Sequence, residues 1–149
     1  MNKKICSFSG HRPEKLPFLS DEASYLYQTL YKMLNDKIIA AIAEGYTHFI
    51  TGMALGVDLI CAEIVISLKK TTHPNLILEA AIPFPNQAQY WSEDEQRKYA
   101  QILHEADIKT YIKDKFTVGV MMLRNKYMVV HSSRLIAVCA QSSGGTWKT

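Results

Sequence analysis

Five short apolar runs alternate along this chain with longer stretches whose apolar residues recur every three or four positions, and that alternation constrains the fold more than any other feature. Residues 5–9, 46–51, 76–82, 108–112 and 135–139 read as strands, the last an almost unbroken apolar run of the kind expected for a strand covered on both faces. Helical patterns fill the intervals. Ser20, Asp21 and Glu22 supply a capping residue and two acids for a first helix with Leu26, Leu30, Met33, Leu34, Ile38, Ala41 and Ile42 on one stripe and Gly45 as its left-handed stop. A second carries Val57, Ile60, Cys61, Ile64, Val65 and Leu68 on one face. Ser92 and Glu95 make a capping box for a third, with Tyr99, Ile102, Leu103 and Ala106 inward, and a fourth covers roughly residues 118–130. Strand and helix in alternation predict an α/β fold: a Rossmann-like, doubly wound, mainly parallel sheet with helices on both faces.

A length of 149 residues with 48% hydrophobic content suits one such domain and its single core. The longest uncharged apolar run, residues 38–43, is far short of the roughly 18 residues of a membrane span. Lys3 and Lys4 resemble the start of a signal peptide, but Ser7, Ser9, Gly10, His11 and Arg12 interrupt any long apolar stretch. Cys6, Cys61 and Cys139 are odd in number and sit in apolar segments, which predicts buried thiols and a reducing, cytoplasmic setting rather than a disulfide framework. The five histidines have no metal-ligand spacing, so no metal is expected. Seventeen basic against fourteen acidic residues give a scattered net charge of +3, which argues against nucleic-acid binding by bulk electrostatics. The chain stops at Thr149 just where a glycine loop would feed one more helix, and a missing C-terminal segment is expected.

In a parallel sheet the ligand crevice lies beyond the carboxyl ends of the strands, and four such ends carry unusual loops. Ser9-Gly10-His11-Arg12-Pro13 combines a glycine that lets backbone approach a ligand with an arginine that can fork onto phosphate, unless that arginine is only a solvated loop charge. Thr51, Gly52, Met53, Ala54, Leu55, Gly56, Val57 and Asp58 open the second helix, where amides form an anion site, although two glycines after a strand also make an ordinary turn. Asp58 reads either as a ligand contact or as an acid favoured by the helix dipole. Pro83, Phe84, Pro85, Asn86 and Gln87, with Tyr90 and Trp91, offer a stacking wall for a base, and Trp91 equally suits a core anchor. Gly144-Gly145-Thr146 suits a phosphate. Glu63 falls at the margin of its helix stripe, which favours a structural role over a catalytic one. Arg124 and Asn125 have solvation or helix packing as their default, and His131 has no adjacent acid or nucleophile. The three-glycine dinucleotide fingerprint and the P-loop lysine are both absent, against cofactor-dependent hydride transfer and nucleotide triphosphate hydrolysis.

Taken together, Ser9 to Pro13, residues 51–58 with Ala62 and Glu63, Ala81-Ile82-Pro83 with Gln87 and Trp91, Arg124 to Val129, and Gly144-Gly145-Thr146 resemble the YpsA-like branch of the SLOG superfamily over nearly the whole chain. That superfamily shares a Rossmann-like domain and includes LOG-type nucleoside phosphoribohydrolases and the DNA-processing protein DprA. The resemblance implies binding of nucleotides or nucleotide-derived molecules such as ADP-ribose. LOG enzymes place a glutamate after their glycine-rich loop, where this chain has Trp147-Lys148-Thr149; Val130 and Ser133 stand where family members tend to have acids, and Ala140-Gln141 where they have a glycine-containing linker. The resulting expectation is a cofactor-free binding or sensing domain in which Gly10, Arg12, Gly52, Gly56, Gly145 and Thr146 hold phosphate, Asp58 meets a ribose hydroxyl and Trp91 lies near the base, with His11, Met53 and Gly144 in the same loops. Two alternatives stand beside it: N-glycosidic hydrolysis of a nucleoside monophosphate using Asp58 or Glu63, and DprA-like binding of single-stranded nucleic acid. Homo-oligomerisation is left open.

Overall fold

The computed structural model describes residues 4–10, 17–140 and 147–148. Its elements are β1 (Ile5–Gly10), α1 (Tyr25–Ala43), β2 (His48–Thr51), α2 (Val57–Lys70), β3 (Ile77–Ile82), α3 (Glu93–Glu105), β4 (Ile108–Tyr111), α4 (Val120–His131), β5 (Arg134–Ala140) and β6 (Trp147–Lys148), with one 3-10 turn at Pro17–Ser20. The strands lie in the order β4-β3-β2-β1-β5-β6. β1 to β5 are mutually parallel, with Ser7 between Ile50 and Leu135 in register, and β6 runs antiparallel to β5. The chain thus winds outward from β1 to β4 and then returns to the other side of β1, so the connections diverge between β1 and β5. This is a Rossmann-like α/β fold.

Alternation along β1 sorts the two faces. Cys6 and Phe8 join α1, α2 and α3 in the main core, where Phe8 stacks on Phe49 at 5.8 Å between ring centroids and Leu30, Leu34, Ile38, Ile64 and Val65 are fully buried. On the opposite face a smaller cluster of Ile50, Ala81 and Met128, with Ile5 and Tyr127, seats α4. Cys6 and Cys61 are buried free thiols in the main core, and burial pushes the Cys6 thiol up to about 12 against the opposing effects of Arg134 and the Ile136 amide. Among the described residues no helix is long and apolar enough to cross a membrane.

Ser92 accepts from the Glu95 amide at 3.2 Å while Glu95 accepts from the Ser92 amide at 2.9 Å, which is the capping box expected for α3. Gly45 ends α1 with φ of +99°. Two expectations need correction. The first helix begins at Tyr25 rather than at residues 20–22, because the Ser24 hydroxyl caps it at the Tyr27 amide, 3.0 Å away, while Asp21 turns its carboxylate onto the Ala23 amide. Leu30, Leu34, Ile38 and Ala41 of the expected stripe are buried, Met33 and Ile42 partly so, Tyr27 joins them, and Leu26 is 48% exposed. β5 is not covered evenly on its two faces: Ile136 and Val138 are buried in the main core, but Leu135, beside the cleft on the α4 side, is 51% exposed.

Gly10 has a packing reason for being glycine. A Cβ there would lie 2.5 Å from Val57 Cβ and 2.6–2.8 Å from its methyls, so the end of β1 rests directly on the first residue of α2. Because Val57 Cβ is fixed to the helix backbone it has no room to yield. Gly10→Ala is expected to destabilise the fold by about 1–3 kcal/mol, the usual cost of overpacking, read as a fall in the urea midpoint at constant slope. An unchanged midpoint would show that strand and helix are further apart.

Candidate functional site

The loop between β2 and α2 is held from within before anything else touches it. The Thr51 hydroxyl donates to the Asp58 carbonyl at 2.9 Å and accepts from the Met53 amide at 3.3 Å, and the Ala54 amide donates to Asp58 Oδ2 at 3.3 Å. Met53 is fully buried at φ of +60°, a left-handed conformation uncommon for a long side chain. Its carbonyl accepts from Gln87 Nε2 at 3.2 Å, and the same nitrogen lies 3.2 Å from Tyr99 Oη, which ties the loop to α3. Gly56, at φ +96° and ψ −127°, then opens α2 with no side-chain cap. The Met53 and Ala54 amides are thus engaged internally, and the attraction for an anion falls on the uncapped first turn of α2.

A cleft of about 280 Å³ lies beside that first turn, at the divergence of β1 and β5. Ser9, Gly10, Asp58, Arg124, Asn125 and Leu135 are among the residues that line it. Arg124 is 5% exposed; its Nη1 donates to the Gly52 carbonyl and its Nε to Asn125 Oδ1 at 2.9 Å. Asp58 is also buried. Both charged groups crowd Gly52, where a Cβ would stand 2.8 Å from Asp58 Oδ2 and 3.0 Å from Arg124 Nη1. An acid from α2 and a guanidinium from α4 therefore share the space a side chain at position 52 would need.

A second cavity, about 530 Å³, opens on the other flank of the α2 start and includes Leu55 and Gly56. Asp21, Glu22, Glu63, Asp94 and Glu95 surround its single lysine, Lys98. Lys98 Nζ lies 2.8 Å from Glu22 and 3.3 Å from Glu63. Burial lifts the Glu63 pKa against the opposing pull of Lys98, while the two carboxylates outweigh burial at Lys98 and raise its own. Although larger, this cavity presents an excess of negative charge and disfavours a phosphate.

The structure thus brings Gly10 and Asp58 together at the cleft, with Gly52 packed behind them and Met53 buried beneath. It does not bring Gly56, Glu63 or Trp91 there. Gly56 and Glu63 border the acidic cavity, and the Trp91 indole lies edge-on to Tyr99 at 5.3 Å, against the main core. His11, Arg12, Gly144, Gly145 and Thr146 lie outside the described residues. Arg124 and Asn125 are cleft residues that sequence reasoning assigned to solvation or packing. Arg124 falls four residues from each of Val120 and Met128, the other buried positions of α4, so a charge on the buried stripe was the signal available. His131 stacks on Tyr127 at 4.1 Å and sits at the helix end. Among the described residues no three His, Cys, Asp or Glu side chains are grouped to hold a metal ion.

A parallel sheet whose connections diverge between β1 and β5, with a polar cleft at that point, defines a Rossmann-like α/β domain. The chain belongs to the YpsA (YspA SLOG) family, whose model matches residues 6–148. It is 32% identical over 145 residues to the UPF0398 protein BH1768 of Halalkalibacterium halodurans, covering 96% of this chain and 76% of the relative. It is 37% identical over 130 residues to the uncharacterized SPbeta prophage-derived protein YoqJ of Bacillus subtilis, covering 76% and 75% respectively, and 28% identical over 147 residues to a UPF0398 protein of Bacillus cereus, covering 97% and 79%.

Gly52→Ala separates this site from an ordinary turn. The new methyl meets Asp58 Oδ2 and Arg124 Nη1 and Cδ, buried groups held by backbone partners, so displacing them is expected to cost about 1–3 kcal/mol, as at Gly10. The check is a thermal melt together with an NMR spectrum of the Arg124 side chain. A displaced Arg124 Nε resonance is expected, and an unchanged one would contradict the packing described.

Proposed function

We propose that the cleft binds a nucleotide-derived, phosphate-bearing small molecule, such as ADP-ribose or a nucleoside monophosphate, and that the protein is a binding or sensing domain. The observation that carries this reading is the placement of Asp58 and Arg124 side by side at Gly52, next to the uncapped start of α2 and at the divergence of β1 and β5. In this reading the α2 amides attract the phosphate, together with Arg12, two residues beyond Gly10 in the chain. Asp58 accepts from a ribose hydroxyl, and Arg124 and Asn125 form the polar wall opposite. A cleft of 280 Å³ sits near the lower bound of roughly 300 Å³ for ligand pockets, which suits a single nucleotide unit held in part outside it. Membership of a SLOG family supports a nucleotide-related ligand. The hydrolase alternative gains nothing from Glu63, which is paired with Lys98 in the acidic cavity. Buried free thiols at Cys6 and Cys61 support a reducing, cytoplasmic setting.

Isothermal titration with ADP-ribose, AMP, NAD and cyclic nucleotides tests the reading. At least one is expected to bind, and Arg124→Met and Asp58→Asn are each expected to weaken it by about 1.5–3 kcal/mol, the scale of hydrogen bonds to charged groups. No binding at high micromolar concentration, or folded variants that bind like the parent, would overturn it.

A further inference from the structure

The sheet face under α4 holds a polar network that lines neither cavity. Glu79, in the body of β3, is 4% exposed. Its Oε1 lies 2.7 Å from His48 Nε2 on β2, and its Oε2 accepts from Thr110 on β4 at 2.8 Å and from the Tyr127 hydroxyl on α4 at 2.5 Å. Burial alone would raise the pKa of this carboxylate, but the hydrogen bonds from His48, Tyr127 and Thr110 outweigh it and bring it down to about 2. It remains an ionised acceptor at neutral pH. Three strands and one helix therefore converge on a single charge.

The helix that makes the third of these contacts has little else to fix its rotation. α4 buries only Val120, Arg124 and Met128, while Met122, Val129 and Val130 are 72%, 62% and 67% exposed. Apolar burial is non-directional and tolerates a small slide or roll of such a helix. Its seat is set instead by polar bonds to the sheet side: Arg124 to the Gly52 carbonyl, Tyr127 to Glu79, and, just beyond its end, Ser132 Oγ to Ser7 Oγ at 2.9 Å. Tyr127 and Arg124 are three residues apart, on adjacent turns of the same side, so fastening one orients the other.

We propose that Glu79 is a positioning residue for the cleft: through the Tyr127 hydroxyl it holds α4 in the rotation that delivers Arg124 to Gly52 and Asn125 to the cleft wall. The helix-seating part stands on the geometry alone; its consequence for ligand rests on the binding reading above.

Tyr127→Phe removes the one hydroxyl and keeps the ring. Glu79→Gln is the conservative control, since its amide oxygen still accepts from Tyr127 and Thr110 while its nitrogen faces His48. Hydrogen exchange of the free, full chain should show α4 amides exchanging about tenfold faster in Tyr127→Phe, near parent rates in Glu79→Gln, and no change in α1, α2 or α3. Unchanged α4 exchange, or acceleration spread equally through the whole sheet, would overturn the proposal. Titration with ADP-ribose adds the second arm. Binding weakened about three- to tenfold in Tyr127→Phe and kept in Glu79→Gln supports positioning, whereas a loosened α4 with parental affinity overturns it. If the parent does not bind ADP-ribose, the ligand reading suffers and the exchange result alone decides the clasp.

Discussion

Two buried charges meet at the one point behind β2 where no side chain is present, and the site depends on that vacancy. Asp58 arrives from the first turn of α2, which belongs to the three-helix face, and Arg124 from α4 on the other face; both come within about 3 Å of the position a Cβ at Gly52 would take. Burying either group uncompensated costs several kcal/mol, so each holds a backbone partner, the Ala54 amide for the acid and the Gly52 carbonyl for the guanidinium. The backbone of one loop thus connects the two helical layers, and the same loop starts the helix whose amides face outward from the sheet. A side chain at position 52 would press on Asp58 and Arg124 at the place where the cleft opens.

The start of α2 divides the end of the sheet into two chambers, one acidic and one balanced in charge. On the α1 and α3 flank the walls carry five carboxylates around a lysine already engaged by two of them. On the α4 flank a single acid faces a single arginine, and the helix dipole adds partial positive charge. Volume alone favours the first chamber and charge the second. For a phosphate, Coulomb repulsion from carboxylates a few ångströms away at an effective dielectric of about 20 amounts to a few kcal/mol each, enough to outweigh the extra room.

The strand and helix order was legible because it rests on local chemistry: the Ser92–Glu95 box and the stop at Gly45 appear where the residues place them, and Val57, Ile60, Cys61, Ile64 and Val65 of α2 are buried, although Asp58, Leu59 and Ala62 are buried with them. The start of α1 was not, since residues 20–24 offer two capping serines and an acid that forms its own turn; with Ser24 as the cap, Leu26 falls in the first turn and stays 48% exposed while Tyr27 joins the expected Leu30, Leu34, Ile38 and Ala41 in the core. Leu135 misled because an apolar run reports a strand without reporting what covers it. Glycines were legible as positions and not as reasons. Gly10 answers to Val57 packing, Gly56 to a positive φ, and Gly52 to two side chains from distant elements. Arg124 was missed because its meaning depends on a carbonyl 72 residues earlier in the chain, a pairing that only the folded topology creates.

Which flank of α2 receives the ligand is decided by one measurement: amide and arginine side-chain chemical-shift changes in the isotope-labelled protein during titration with ADP-ribose and with AMP. The cleft predicts saturable shifts at Gly10, Ala54, Asp58, Asn125 and the Arg124 Nε, with Glu22, Glu63 and Lys98 unmoved. Shifts centred on Glu63 and Lys98 instead, or none at all with either nucleotide, would contradict it.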